Sequence, residues 1–198
     1  MEIVVGISGA SGVQYGVRLL HILKEKGCTT HLVVTDSARK IIEIETDFLL
    51  EDVKKLASYV YAPRDFDAPI ASGSHLFDAM VVIPCSMGTL SGIACGSSDT
   101  LITRSADVCL KEKRRLVLVP RETPLSLVQL RNMVSAAEAG AVILPACPAF
   151  YSRPKGMDEL VDVLVGRVLD LCGVKNDLSR RWEGNPYNRL NQSDSKVI

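Results

Sequence analysis

The chain has no charge of one sign to spare: its 23 basic residues balance 23 acidic ones, so no net field draws it toward nucleic acid or an anionic membrane. Its six cysteines contain no C-x-x-C pair, and its three histidines, His21, His31 and His75, are scattered without metal-ligand spacing. Reduced, buried thiols are therefore expected at Cys28, Cys85, Cys95, Cys109, Cys147 and Cys172. No basic, apolar leader follows Met1, so a secretory signal is not expected. The uncharged stretch AGAVILPACPAFYS carries two prolines and is too short to span a bilayer. Internal repeats and low-complexity segments are absent as well. These absences leave a cytoplasmic protein whose partners are small molecules.

What is present is a regular alternation. At 198 residues, 47% of them hydrophobic, the chain suits one well-buried domain. Short β-branched runs at 2–7, 30–35, 79–84, 115–120 and 141–145 alternate with segments of helical period, the pattern of βαβ units. Several runs are apolar throughout, as strands are when helices cover both faces. The expected fold is a single α/β domain, Rossmann-like and doubly wound around a mainly parallel sheet. It should occupy 1–182, with a polar tail at 183–198. Helices are expected from Ser11 to Lys26, from Asp36 or Ser37 to Glu45, through DTLITRSADVCLKEK, from Thr123 as N-cap with Pro124 at the first helical position, and through MDELVDVLVGRVLDLC, stopped by Gly173.

The first strand runs into IVVGISGASGVQYG. A strand, a glycine turn and a helix N-terminus together present backbone amides and a positive dipole end to an anion or an electron-rich ring. The spacing Gly6-x-x-Gly9-x-x-Gly12 is neither the dinucleotide G-x-G-x-x-G nor a P-loop, and the alternative is a turn that glycine merely tightens. Asp36 in turn lacks the upstream glycine spacing of a ribose-binding acid. Ser8 and Ser11 favour a polar ligand, Ser11 also being a candidate N-cap. The third strand ends in a second small, hydroxyl-rich turn, PCSMGTLSG, and Thr35 ends the second strand. In an open α/β sheet all three rims face the crevice beyond the strands' carboxyl ends.

Two further groups bear charge. Arg121 and Glu122 stand where the fourth strand leaves the sheet; a carboxylate beside a cation can move a proton, or the two can form a local salt bridge. On a helical wheel Arg167 falls on the face of Leu160, Leu164, Val168 and Leu171, where a buried cation needs either a structural carboxylate or a ligand phosphate. Tyr151 can add a phenol to the same anion. Arg104 and Lys111 share one side of a helix, as a solvated face or as a phosphate funnel completed across a subunit contact.

In their order, GASG-x-QYG, ETD, ASGS, PCSMGTLS, R-x-ADV-x-LKE, LVLVPRETPLS and ILPA-x-P-x-FY resemble the flavin prenyltransferases of the UbiX/Pad1 type, from Ile3 to Trp182. The resemblance implies a metal-independent transferase that joins dimethylallyl phosphate to N5 and C6 of reduced FMN and releases phosphate. The product, prenylated FMN, would serve a partner UbiD-type decarboxylase. It implies that Gly9, Ala10, Ser11, Thr35, Ser86, Met87, Gly88, Thr89 and Arg121 bind FMN, with Ser11 near N5. Tyr151 and Arg167 would hold dimethylallyl phosphate, Arg104 and Lys111 would complete the anion site from a neighbouring subunit, Glu122 would relay a proton and Glu45 would support the site. Phe66 stands before ASGS where the family often has tryptophan, as an aromatic wall. The family is typically a dodecamer built from trimers.

Two rival functions share the FMN crevice. An FMN-dependent cysteine decarboxylase calls for a Pro-x-Met-Asn-x-x-Met-Trp motif, which the sequence lacks. A flavin carrier without chemistry accounts for the glycine and hydroxyl turns. It leaves Glu122, Tyr151 and Arg167 without a purpose.

Overall fold

The computed structural model describes residues 1–182 and Gly184. The tail expected at 183–198 otherwise lies outside the described residues. Six strands, β1 (Glu2–Ile7), β2 (Thr29–Val34), β3 (Tyr59–Tyr61), β4 (Ala79–Cys85), β5 (Arg115–Pro120) and β6 (Val142–Ile143), form one sheet in the order β3-β2-β1-β4-β5-β6. Every neighbouring pair is parallel. Between and after the strands run α1 (Val13–Glu25), α2 (Asp36–Glu45), α3 (Leu50–Lys54), α4 (Met87–Ala94), α5 (Leu101–Lys111), α6 (Leu127–Ala139) and α7 (Met157–Cys172).

The strands are apolar along their length because both faces are covered. On one face Ile3, Val5, Ile7 and Val81 meet Val17 and Leu20 of α1, Ile42 of α2 and Val165 of α7. On the other, Val4, Met80 and Val82 meet Leu90 of α4 and Ile102 and Ala106 of α5. Each fully buried aliphatic side chain contributes roughly 1.5–3 kcal/mol. Helix starts are set by short oxygen-bearing side chains: Thr35 accepts from the Ala38 amide, Ser86 from Thr89, Thr100 from Thr103 and Ser126 from Gln129.

Several boundaries differ from the sequence expectation. β3 and α3 are additions to it: at three and five residues they are too short to carry a period, and Tyr59 and Val60 at the sheet edge are exposed. The helix expected to start at Thr123 starts at Leu127, because Ser126 and Gln129 close a reciprocal capping box. Ser11 is not the N-cap of α1. Gly12 takes that position at φ 100°, a left-handed conformation open to glycine, and makes no side-chain cap.

Gly16 lets α1 lie close against β4, since a Cβ there would stand 2.5 Å from the Ile83 carbonyl oxygen. Gly16→Ala is expected to lower stability by about 1–3 kcal/mol through overpacking, measured as a shift of the urea unfolding midpoint. An unchanged midpoint would show that the α1–β4 contact yields freely.

Candidate active site

The chain leaves β1 toward β2 and leaves β4 toward β5, so the two central neighbours depart in opposite directions and open a crevice beyond their carboxyl ends. Gly9, Ala10 and Ser11 after β1, Ser86, Met87 and Gly88 after β4, and Arg121 and Glu122 after β5 line it, together with Ile41, Ile44 and Glu45 of α2. Its volume is about 600 Å³, within the range of small-molecule sites. The turns brace one another. Ser8 Oγ donates to the Pro84 carbonyl at 3.0 Å and accepts from the Ser86 amide at 2.8 Å. Ser8, expected to favour a ligand, is therefore fully buried and structural; its hydroxyl is consumed in joining the two turns. Arg121 Nε donates to the Ser11 carbonyl at 3.0 Å, and the Gly12 amide donates to Glu45 Oε2 at 2.8 Å.

Thr35 and Thr89 do not line the crevice themselves but hold its rims. Thr35 Oγ1 lies 3.2 Å from Ser37 Oγ, and a Cβ on Gly9 would stand 2.3 Å from that same Ser37 oxygen. Ser86 Oγ donates to Thr89 Oγ1 at 3.1 Å. Glu122 is exposed and accepts from the Thr123 amide through Oε1 at 3.0 Å. The crevice suits a flavin mononucleotide: Ile44, 80% exposed, offers an uncovered apolar wall, and a Cβ on Gly88 would meet nothing within 4 Å. The start of α4 and the Arg121 guanidinium favour an anionic group beside that wall.

A second crevice of about 520 Å³ lies on the same edge of the sheet, between the segment after β6 and α7. Leu144 and Ala146 bond back to the Leu118 and Pro120 carbonyls of β5, which sets this segment beside the strand that ends in Arg121. Cys147, Tyr151, Arg167, Asp170, Arg181 and Trp182 are among its lining residues. The Tyr151 ring meets Trp182 edge-on at 5.6 Å. Arg167 is not buried on the apolar face of α7, as the helical wheel predicted. Burial runs almost all round α7, through Val161, Val163, Leu164, Val165, Gly166, Val168, Leu169 and Cys172, and Arg167 stands exposed between Val163 and Leu164 where the helix borders the second crevice. Its Nη1 donates to Asp170 Oδ2 at 3.2 Å, while Arg181 grips both Asp170 oxygens at 2.7 Å. Nε and Nη2 of Arg167 make no hydrogen bond among the described residues.

The two-point bond from Arg181 holds the Asp170 carboxyl below its ordinary value, with Asn176 and Arg167 adding to the effect against partial desolvation. A depressed carboxyl contributes stability above its unfolded pKa of about 3.9 and loses it as pH falls through the lower folded value. The clamp beside Arg167 is therefore intact at neutral pH.

Phe66, Arg104 and Lys111 line neither crevice of their own chain. Arg104 Nε donates to the Ala71 carbonyl at 3.0 Å and Nη1 to Asp107 Oδ2 at 3.0 Å; Lys111 pairs with Glu112. The segment carrying Phe66 packs on α5 through the Leu101 amide and the Pro63 carbonyl, so these three residues belong to one side of the molecule. Cys85, Cys109 and Cys172 are buried, and burial pushes their thiols up to about 12. Cys95 and Cys147 are exposed, contrary to expectation, because each sits in an irregular segment outside the packed layers. Sequence reading also missed Ile41 and Ile44, whose outward placement on α2 is set by Ala38 and Ile42 packing inward.

A parallel sheet with a two-turn crevice at its switch point is the architecture of a mononucleotide-binding protein, and the Flavoprotein family model, which matches residues 1–169, makes this one a flavoprotein. The flavin prenyltransferase UbiX of Thermoplasma acidophilum is 54% identical over 182 residues, covering 92% of this chain and all of that one. A crystal structure of AnUbiX (PadA1) in complex with FMN and dimethylallyl pyrophosphate superposes with a TM-score of 0.91 at 47% identity, over 93% of this chain and 98% of that one. A dodecameric FMN-dependent UbiX-like decarboxylase from Escherichia coli O157:H7 also gives 0.91 at 47% identity, over 93% and 100%. The chain belongs to the Flavoprotein family and, within it, to the UbiX/Pad1-type flavin prenyltransferases.

Proposed function

We propose that this enzyme joins the dimethylallyl group of dimethylallyl phosphate to N5 and C6 of reduced FMN. The observation that carries the assignment to residues is the gathering of Ser11, Ser86, Arg121 and Glu122 around one crevice, with Tyr151 and Arg167 in a second crevice on the same sheet edge. Reduced FMN supplies the nucleophilic ring atoms. Gly9, Ala10, Ser11, Thr35, Ser86, Met87, Gly88, Thr89 and Arg121 hold and orient it, Ser11 on the N5 side, and Glu45 keeps the Gly12 turn in place through its amide bond. Arg167 and Tyr151 receive the substrate phosphate: a guanidinium with two nitrogens unengaged among the described residues and a phenol stabilise the charge that builds on the leaving group. Glu122, with one oxygen engaged by Thr123, has a second oxygen to take a proton and pass it to the departing phosphate.

The other assignments rest on the same reading. Arg104, Lys111 and Phe66 line neither of these two crevices of their own chain, which fits their service to a neighbouring subunit's anion site and aromatic wall. A closed homo-oligomer, a dodecamer, also gives cover to α6, where Leu127, Val128 and Val134 stand 61%, 65% and 56% exposed. The prenylated flavin passes to a UbiD-type decarboxylase. No helix among the described residues is long and apolar enough to cross a membrane, and six unpaired thiols suit the reducing cytoplasm.

Anaerobic incubation with reduced FMN and dimethylallyl phosphate, followed by mass spectrometry of the flavin, tests the reaction: a flavin heavier by one prenyl group is expected, and an unchanged mass would falsify it. Val128→Asp is expected to break the assembly into smaller species in light scattering, since a carboxylate would be desolvated in an apolar contact. An intact assembly would remove α6 from the interface.

A further inference from the structure

At the opposite end of the sheet, parallel pairing sets β1 beside β2 and β2 beside β3, and the segment preceding β4 crosses beneath them. There Glu2, His31 and His75 converge, with one donor atom from each within 4.8 Å of the others. Glu2 Oε1 lies 2.8 Å from His31 Nε2 and 2.8 Å from His75 Nε2. The two contacts are not equivalent. His31 meets hydrogen-bond geometry, whereas His75 Nε2 is closed to solvent and has no hydrogen-bond partner among the described residues despite its close approach. A solvent-closed ring nitrogen thus stands beside a carboxylate that, in this orientation, does not satisfy it as a hydrogen-bond partner.

We propose that Glu2, His31 and His75 bind one zinc-class divalent ion per chain, remote from the flavin crevice and separate from its chemistry. Two imidazoles and a carboxylate form a donor set suited to zinc, with a fourth position left for water. Zinc bonds of about 2.0–2.2 Å place tetrahedral donors roughly 3.4 Å apart, so the ion needs the carboxylate to withdraw by about half an ångström from each ring and the two ring nitrogens, within 4.8 Å of each other, to settle at the same spacing. Glu2, whose side chain is 31% exposed, has the freedom to do so.

The surroundings hold the rings in place. His31 stacks on Tyr59 at 4.9 Å and on Tyr61 at 5.8 Å, and its Nδ1 lies 2.9 Å from the Tyr61 hydroxyl. A partner on the second ring nitrogen is the usual orienting contact of a metal-bound histidine. The Glu2 backbone is pinned twice to Asp78, by its amide to Oδ2 at 2.7 Å and by its carbonyl at 2.8 Å. Arg114 Nη1 donates to the His75 carbonyl at 2.8 Å. Measured along β1, about 3.3 Å per residue, six residues separate this cluster from the crevice by on the order of 20 Å.

The untagged full chain, stripped with chelator and equilibrated with zinc sulfate or cobalt chloride, tests the site by metal content after gel filtration. About one ion per chain is expected, with affinity lowered at least ~10-fold in both His75→Asn and Glu2→Gln. Either variant keeps the His31 stack and so the fold. Cobalt should show visible d–d bands without thiolate charge transfer, and zinc should raise the melting temperature of the wild type but not of His75→Asn. No retained ion, equal retention in both variants, or a thiolate band from Cys95 or Cys147 would overturn the assignment.

Discussion

Glu122→Gln is expected to bind FMN as the wild type does and to lose turnover by about 10²–10⁴-fold, the usual worth of a positioned acid or base. Glutamine keeps the size of the side chain and can still accept from the Thr123 amide through its carbonyl oxygen, so the turn after β5 should stand. What it cannot do is carry a proton. The Arg121 bond to the Ser11 carbonyl is untouched, and with it the joint between the first turn and the end of β5. Flavin affinity by fluorescence quenching and single-turnover rates separate the two effects. A variant with wild-type rates would leave Glu122 outside the proton path, and one with weakened flavin affinity would make it a binding residue.

For Arg167→Ala the expected result is a rise in KM for dimethylallyl phosphate of about 10- to 100-fold, corresponding to the loss of charge-assisted hydrogen bonds worth roughly 1.5–3 kcal/mol. Flavin binding should persist, because Arg167 is not among the residues lining the first crevice. Stability should change little: the Arg167–Asp170 pair is exposed, and Asp170 keeps both bonds from Arg181. Arg167→Lys tests the chemistry further, since a point charge cannot reproduce the planar fork. Unaltered kinetics in the alanine variant would reduce Arg167 to a surface ion pair with Asp170.

Much of the crevice was legible in the chain because its parts lie at strand ends. Apolar runs mark the strands, helical periodicity marks the segments that connect them, and the small and hydroxyl residues of GASG and CSMGT interrupt one before the other begins. Once the strands are known to be parallel, their carboxyl ends must lie on one edge, so Ser11, Ser86 and Glu122 share it. Side-chain direction was less legible. The wheel sets Arg167 beside Leu164 and Val168, which are buried, yet Arg167 itself is exposed because that part of α7 borders the second crevice. Ser8 and Ser11 look alike in the sequence. Only the cross-link from Ser8 to Pro84 and Ser86, on a neighbouring strand, separates a structural hydroxyl from one that lines the site.

By itself, then, the sequence determined the layers, the parallel sheet and the turns that face a flavin, since periodicity and glycine placement act over a few residues and are written locally. The tertiary structure alone decided which groups meet across strands: the Arg121–Ser11 brace, the exposure of Arg167, and the convergence of Glu2, His31 and His75. Crossover connections bring together residues far apart in the chain, and the distances that matter to a proton or a metal ion are set by strand register and helix packing.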